Sequence, residues 1–211
     1  MVGKGPSPDV AIDICREKCE RIVVGNHEEL VRAEKVFGGD EYVEMQERQR
    51  KKIGQERCDF LLTLENSIDV KMSGKNVRLF HASPVSALHR VRRSDGKEKH
   101  LSMFESTDFT GFSCEPDVVG YGDIHVSFVE VIGGKILFNV GSVGNPLGID
   151  TRASFGIISG EYGSDAEDKL EIEIVKVDYD KDKAIEDARG GDLPEAELYV
   201  NEIMTGIYRG V

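Results

Sequence analysis

The sequence predicts an α/β fold, and three observations favour this class. A helical pattern over residues 7–20 is followed at once by the β-branched run Ile22-Val23-Val24, which is the second half of an α/β unit. Short β-rich segments and further helical stretches share the rest of the chain. With 211 residues, of which 39% are apolar and 31% charged, the chain can bury a core and is too apolar for a disordered protein. We expect one domain that spans residues 1–211.

The loop after this first predicted strand carries polar residues. The run Gly25-Asn26-His27-Glu28 directly follows residues 22–24. Open α/β sheets bind their ligands just beyond the carboxyl ends of their strands. We therefore expect Asn26 and His27 to belong to a functional loop. Glu28 either orients His27 or favours the positive end of the following helix.

Two longer segments differ sharply in regularity. Residues 41–64 are charged and helical in period, and they predict one or two helices with Gly54 as a weak point. Residues 84–115 are polar and irregular, which predicts a loop with a short helix that lies over the site as a lid. The candidate core contacts of the helical segment are Val43, Ile53, Phe60, Leu61 and Leu64.

Turn residues separate the remaining predicted elements. The pair Gly133-Gly134 is a strong signal for a hairpin. Two helical stretches, from Lys181 and from Pro194, are separated by Gly190-Gly191. The predicted strands are residues 67–72, 77–80, 117–119, 125–132, 135–139, 153–158 and 170–177.

The charge balance excludes one class of partner. The chain has 39 acidic and 27 basic residues, so its formal charge is −12. This charge disfavours non-specific binding to nucleic acid. The basic clusters at residues 48–52 and 90–93 are typical of solvated faces.

The sequence has no apolar signal region and no run of about 18 apolar residues. Its four cysteines are too sparse for a disulfide framework. We expect a cytoplasmic protein with neither a nucleic-acid nor a membrane partner.

Three of the five histidines lie where a predicted strand meets a loop. His27 follows residues 22–24, His81 follows residues 77–80, and His125 comes soon after residues 117–119. A single histidine at a strand end is more often structural than a ligand. Three such positions, with an Asn and an Asp nearby, favour one metal or catalytic centre. An α/β domain whose histidines are all structural stays open as an alternative.

Four motifs in order resemble those of the calcineurin-like metallophosphoesterases, and the resemblance covers nearly the whole chain. It is closest to the small bacterial and archaeal phosphodiesterase-like branch of that family. The motifs are GNHE at residues 25–28 for GNH(D/E), HASP at 81–84 for H-G-S-P, GDIH at 122–125 for G-H-x-H, and NVGSVGNP at 139–146 for N-P-G-S-V-G-x-P.

The resemblance implies a fold and a metal centre. The fold is an α-β-β-α sandwich, in which two mixed sheets pack face to face with helices outside and the site lies on loops at the sheet ends. Two divalent metal ions of manganese, iron, zinc or nickel would lie in that site. Two such ions clamp a phosphoryl group and lower the pKa of a bridging water.

The resemblance also implies roles for residues of this sequence. Asn26 and His81 correspond to ligands of the second metal, and His125 corresponds to a ligand of the first. His27 corresponds to the catalytic acid, a role suited to an imidazole that titrates near neutrality. Asp123 stands where the family has a histidine ligand; a carboxylate still binds a hard cation, but it is shorter and changes the charge of the site.

The resemblance further implies an Asp-x-His motif and a Gly-Asp motif ahead of residues 2–8, and this sequence begins after them. We expect an N-terminally truncated sandwich that lacks three metal ligands. Our hypothesis is a start assigned too far downstream, and the alternative is a degraded relative. Catalysis through the usual dinuclear centre is expected to be impaired.

The predicted function follows from these expectations. We expect a metal-dependent phosphomonoesterase or phosphodiesterase that hydrolyses a small phosphorylated molecule through a dinuclear metal centre. The alternative is a catalytically inactive binding or scaffold protein of the same fold, as the retromer subunit is. The loops over the site choose the substrate in such enzymes, which points to residues 84–115.

Overall fold

The computed structural model describes residues 1–34 and 39–210, and its largest unit is a five-stranded mixed sheet. The strands follow the order β1-β2-β3-β5-β4 across the sheet. The three inner strands β2, β3 and β5 are parallel, and the two outer strands are antiparallel to their neighbours. The strands are β1 Ser67–Met72, β2 Lys75–Phe80, β3 Val118–Tyr121, β4 Phe128–Ile132 and β5 Lys135–Asn139.

Tight turns join the outer strands to the sheet. Gly133-Gly134 links β4 to β5 with φ of 59° and 81°, which confirms the predicted hairpin. Ser73-Gly74 links β1 to β2 with φ of 46° and 75°. Positive φ at both central residues gives a turn whose twist matches that of the strands.

A second sheet covers one face of the first. It consists of the antiparallel strands β6, Ala153–Ser159, and β7, Glu171–Val177. Its Ile158, Ile172 and Ile174 pack on an apolar layer that includes Val77 and Val118. Alternate residues of a strand point to opposite faces, so this layer takes every second side chain of the inner strands.

The opposite face of the large sheet packs against residues 84–115. Phe80, Val119 and Leu137 of the inner strands contact Met103 and Phe104 of that segment, and these side chains are buried. The segment contains the short helix α5, Lys97–Ser102, as expected. Residues 84–115 therefore contribute buried side chains to the core in addition to forming a loop.

Six helices in residues 1–34 and 39–210 are longer than α5. Gly54, with φ of 79°, separates α3 from α4 at the predicted weak point. Ile12, Ile53 and Leu61 belong to the apolar core of the amino-terminal helices, whereas α6 and α7 share a separate cluster around Ile203. The helices are α1 Pro8–Lys18, α2 Asn26–Arg32, α3 Asp40–Ile53, α4 Gln55–Leu61, α6 Lys181–Gly190 and α7 Ala196–Thr205.

Three sequence predictions were wrong in detail. Residues 22–24 form no strand in the described part of the chain, where only Val23 makes a parallel bridge to Glu65. The strand predicted from His125 begins at Phe128, because His125 has φ of 59°, which an extended strand does not allow. Val43, predicted as a core contact, is 39% exposed because α3 directs its other face inward.

Two further findings concern the cysteine side chains and the length of the helices. All four cysteines are free thiols. No helix in residues 1–34 and 39–210 combines the length and apolar character that crossing a membrane requires.

An ion pair between buried Arg78 and partly buried Asp69 lies where the sheet meets residues 84–115. Arg78 of β2 is fully buried and directly opposite Asp69 of β1. Its Nε and Nη2 donate to the two carboxylate oxygens of Asp69 at 2.7 and 2.8 Å. Its remaining donors reach Ser106 Oγ at 3.0 Å and the Cys114 carbonyl at 3.2 Å. The guanidinium therefore binds polar groups of β1 and of residues 84–115 at once.

We expect Asp69→Ala to lower the free energy of unfolding by about 3–5 kcal/mol, because it leaves the Arg78 charge buried without its partner. Urea denaturation followed by circular dichroism measures the change. Glu197→Gln is the control, since Glu197 pairs with Arg189 on the exposed surface and its loss should leave the midpoint nearly unchanged. Equal midpoints for the two variants would contradict a stabilising role for this ion pair.

Candidate functional site

The parallel strands bring two predicted motifs to one edge of the large sheet. His81 follows β2, and residues 122–125 follow the neighbouring strand β3. The Gly122 amide donates to the His81 carbonyl at 2.8 Å and ties the two loops together. Asn26 and His27 form the first turn of α2 and approach the same edge.

The predicted site residues converge there. The Oδ1 of Asn26 lies 3.1 Å from the Nε2 of His81, which in turn lies 3.7 Å from the Oδ1 of Asp123. A cavity of about 730 Å³ is lined by Asn26, His27, Asp123 and His125. His81 is not part of this lining but contacts Asn26, which is. The structure therefore brings together residues from three of the four motifs.

The fourth motif holds His125 in place. The Nδ1 of His125 lies 2.8 Å from the carbonyl oxygen of Asn145 and 2.9 Å from its Oδ1. Both oxygens are acceptors, so Nδ1 carries the proton and Nε2 keeps its lone pair. A histidine in this tautomer can accept a proton or bind a metal ion through Nε2.

The backbone of the GDIH motif is strained. Asp123 and His125 have φ of 58° and 59°, in the left-handed region that side chains other than glycine rarely adopt. Each such residue costs about 1–2 kcal/mol. Strain of this kind is concentrated at functional sites, and here it turns both side chains towards the cavity edge rather than into a strand.

Burial keeps the three site histidines neutral. It lowers the pKa of His27 to about 4, below the near-neutral titration that we expected, and it lowers the pKa of His81 and His125 as well. Neutral imidazoles have the lone pair that a metal ion needs.

The Glu28 carboxylate binds the amino-terminal segment instead of orienting His27, since its Oε1 accepts a hydrogen bond from the Val2 amide at 2.9 Å.

Arg90 is a site residue that the sequence analysis missed. It belongs to residues 84–115, and its Nε and Nη2 donate to the two carboxylate oxygens of Asp123 at 2.7 and 2.9 Å. Its guanidinium also lies over the Tyr208 ring, 5.7 Å from the centroid. The bidentate contact is the strong form of this ion pair, so it fixes both the carboxylate and the guanidinium.

A second missed group links both ends of the chain to the site. Glu202 of α7 is fully buried and accepts from the Nζ of Lys4 at 2.6 Å and from the Nδ2 of Asn145 at 3.1 Å. Asn145 is also the partner of His125. The one signal in the sequence was an acidic residue between Val200 and Ile203, on the buried face of α7.

The described residues fit one divalent cation better than two. Ligand atoms 3.1 Å apart, such as those of Asn26 and His81, can share an ion about 2.1 Å from each. Within residues 1–34 and 39–210, however, no group of three or more His, Cys, Asp or Glu side chains could hold a metal ion. Both oxygens of Asp123 are bonded to Arg90. A dinuclear centre does not fit these residues.

Comparison with known proteins shows the fold. The chain has a TM-score of 0.68 with the metallophosphoesterase from Sphaerobacter thermophilus, at 17% identity over 98% of this chain and 85% of the other. It has a TM-score of 0.75 with a hypothetical protein from Pyrococcus horikoshii, at 16% identity over 98% of this chain and 82% of the other. The resemblance found in the sequence, with its two-sheet α/β fold, is confirmed at the level of the fold.

In sequence, the chain is 29% identical to an uncharacterized protein of Methanocaldococcus jannaschii over 220 residues, which cover 92% of this chain and 80% of the relative. No family model matches the chain. The structural likeness therefore carries the assignment of the fold.

We expect Gly3→Ala to displace the His27 ring, because a Cβ at Gly3 would lie 2.0 Å from the Nδ1 of His27. Gly5→Ala is the matched control. Gly3 and Gly5 have φ of 85° and 86°, so both substitutions impose the same backbone strain, but the nearest atom to a Cβ at Gly5 is the Tyr199 hydroxyl at 4.0 Å. NMR spectra of the histidine rings test this prediction. Equal changes of the His27 signals in both variants would contradict it.

Proposed function

We propose that this chain, which has the metallophosphoesterase fold, binds and hydrolyses a small phosphate ester in the cavity beside His27. One observation carries the proposal: the first turn of α2 and the loops after β2 and β3 bring ligand-type atoms together at the cavity edge. Asn26 Oδ1 lies 3.1 Å from His81 Nε2, which lies 3.7 Å from Asp123 Oδ1. These atoms converge beside a space that a small molecule can enter, which is the arrangement that a binding or catalytic centre requires.

In this proposal Asn26 and His81 hold one divalent cation, and Asp123 lies beside them. When bound, such a cation offsets the negative charge of the phosphoryl oxygens and lowers the pKa of a coordinated water. Manganese, iron, zinc or nickel suits the mixed nitrogen and oxygen donors. His125, with a free Nε2, is a further candidate ligand.

His27 is the proposed proton donor. It lines the cavity next to Asn26, and a phosphate ester held there would come within reach of its ring. Burial disfavours the protonated imidazole in the free protein, and the negative charge of a bound phosphate favours it. His27 would then protonate the leaving oxygen, which is the role of a general acid.

A second candidate function is phosphate binding without hydrolysis, as in a scaffold or binding protein of this fold. The contact between Arg90 and Asp123 favours it. Arg90 brings a fixed positive charge to the carboxylate that would otherwise be free to bind a cation. A guanidinium binds phosphate oxygens without any metal ion.

The test is manganese content per chain together with hydrolysis of p-nitrophenyl phosphate and bis-p-nitrophenyl phosphate. We expect His81→Ala to lose the metal and the turnover. His27→Ala should keep the metal and lose turnover by about 100-fold or more, because it removes only the proton donor. Mass spectrometry of the metal and absorbance of nitrophenol are the measurements.

His89→Ala is the control for both variants. His89 is exposed and bonds Ser83 rather than a cavity residue, so metal content and turnover should match those of the unchanged protein. Turnover that survives in His27→Ala would exclude His27 as the acid. Binding of phosphate esters with no metal and no turnover would favour the second candidate.

A further inference from the structure

Four basic side chains line the cavity of a strongly acidic chain. Lys4, Arg90, Arg92 and Arg93 face the same space, and Asp123 is the only acidic residue in its lining among the described residues. The chain as a whole has a formal charge of −12. Charge of one sign gathered in a cleft concentrates ligands of the opposite sign there, even when the whole protein repels them.

Two of these four charges are already compensated. Lys4 is paired with Glu202, and Arg90 is paired with Asp123. Both of these pairs use buried carboxylates, so they are stable features of the cavity wall rather than transient surface contacts.

Arg92 and Arg93 differ from the other two. In the described part of the chain, neither guanidinium lies within salt-bridge distance of a carboxylate, and that of Arg93 lies over the Phe128 ring at 5.6 Å. The nearby acids have other partners: Asp95 accepts from the Arg92 amide and pairs with Lys99, and Glu130 pairs with His100. Two positive charges on this wall are therefore free to bind an anion.

Another part of the cavity wall is apolar. Ile124, Val126, Leu147 and Ile207 line it, together with the ring of Tyr208. Two cations lie close to this ring, with the Nζ of Lys4 at 5.4 Å from its centroid and the guanidinium of Arg90 at 5.7 Å. At about 730 Å³, the cavity is much larger than one phosphate group and has the size of the sites that take drug-sized molecules.

We infer that the ligand of this cavity is a small organic phosphate with an apolar or ring-shaped body and a second anionic group, which Arg92 and Arg93 bind. This inference rests on the proposed function for the position of the first phosphate, beside His27 and Asn26. The body of the ligand contacts Tyr208 and the aliphatic side chains, and the second anion reaches the two arginines. A bare phosphate would leave both the apolar wall and these arginines unused.

The experiment is titration calorimetry with two probes that differ by one phosphate: adenosine 5′-monophosphate and adenosine 3′,5′-bisphosphate. The protein is kept in EDTA, so no metal ion contributes to binding. We expect the bisphosphate to bind about 10-fold more tightly than the monophosphate, because its second phosphate makes charge-assisted hydrogen bonds to the arginines. The preference should weaken as salt is raised, since ions screen this exposed part of the cavity.

The variant Arg92→Ala/Arg93→Ala should lose this preference and keep its affinity for the monophosphate. Both residues are exposed, so the fold should tolerate the change. The control is Lys51→Ala/Lys52→Ala, which removes two positive charges from the last turn of α3, outside the cavity. The control should keep the preference, which separates local contacts from a change in net charge.

Equal affinities for the two probes, or a preference that survives in the double arginine variant, would overturn the inference. So would the absence of any binding without metal, because the two arginines need none. These outcomes are independent of catalysis. Hydrolysis of nitrophenyl esters with no preference for the bisphosphate would support the proposed function and exclude the second anion site. A preference for the bisphosphate without hydrolysis would support the second anion site and exclude the proposed hydrolysis.

Discussion

Strands β2, β3 and β5 run parallel, so the loops that follow β2 and β3 leave the large sheet at the same edge. This constraint places His81 within 3.7 Å of Asp123, although the two residues are far apart in the sequence. Backbone and side-chain hydrogen bonds then fix the arrangement, since Gly122 donates to the His81 carbonyl and Asn139, at the end of β5, donates to Gly122. Any slip in strand register would separate these groups and turn core residues outward.

Much of this fold could be predicted because its elements carry local signals. The glycine pair at residues 133–134 marked a hairpin, and Gly54 marked the break between two helices. Positions at the ends of predicted strands also identified His81 and His125 from the sequence alone. The errors arose where tertiary context overrides local pattern. Residues 22–24 have strand composition, but only Val23 forms a bridge, to Glu65 ahead of β1, and His125 adopts a backbone conformation that composition does not encode.

The charged partners of the site were beyond prediction because each meets a residue from a distant part of the chain. Arg90 belongs to a basic cluster that is typical of solvated faces, yet its neighbour in space is Asp123. Glu202 and Lys4 come from opposite ends of the chain. Periodicity reports which face of a helix is buried, but it does not report which charge from a distant segment will meet it. The histidine motifs were therefore easier to recognise than the charges that surround them.

The pair of Lys4 and Glu202 also bears on the order in which the molecule assembles. The two residues are 198 positions apart, and Tyr208 of the same cavity wall comes later still. Contacts between such distant positions form late, because most of the chain must lose its conformational freedom first. A nascent molecule would thus have its hairpins and inner strands before it has a closed cavity. The docking of α7 completes the cavity, so a ligand that fills it would selectively stabilise the fully assembled state against local unfolding.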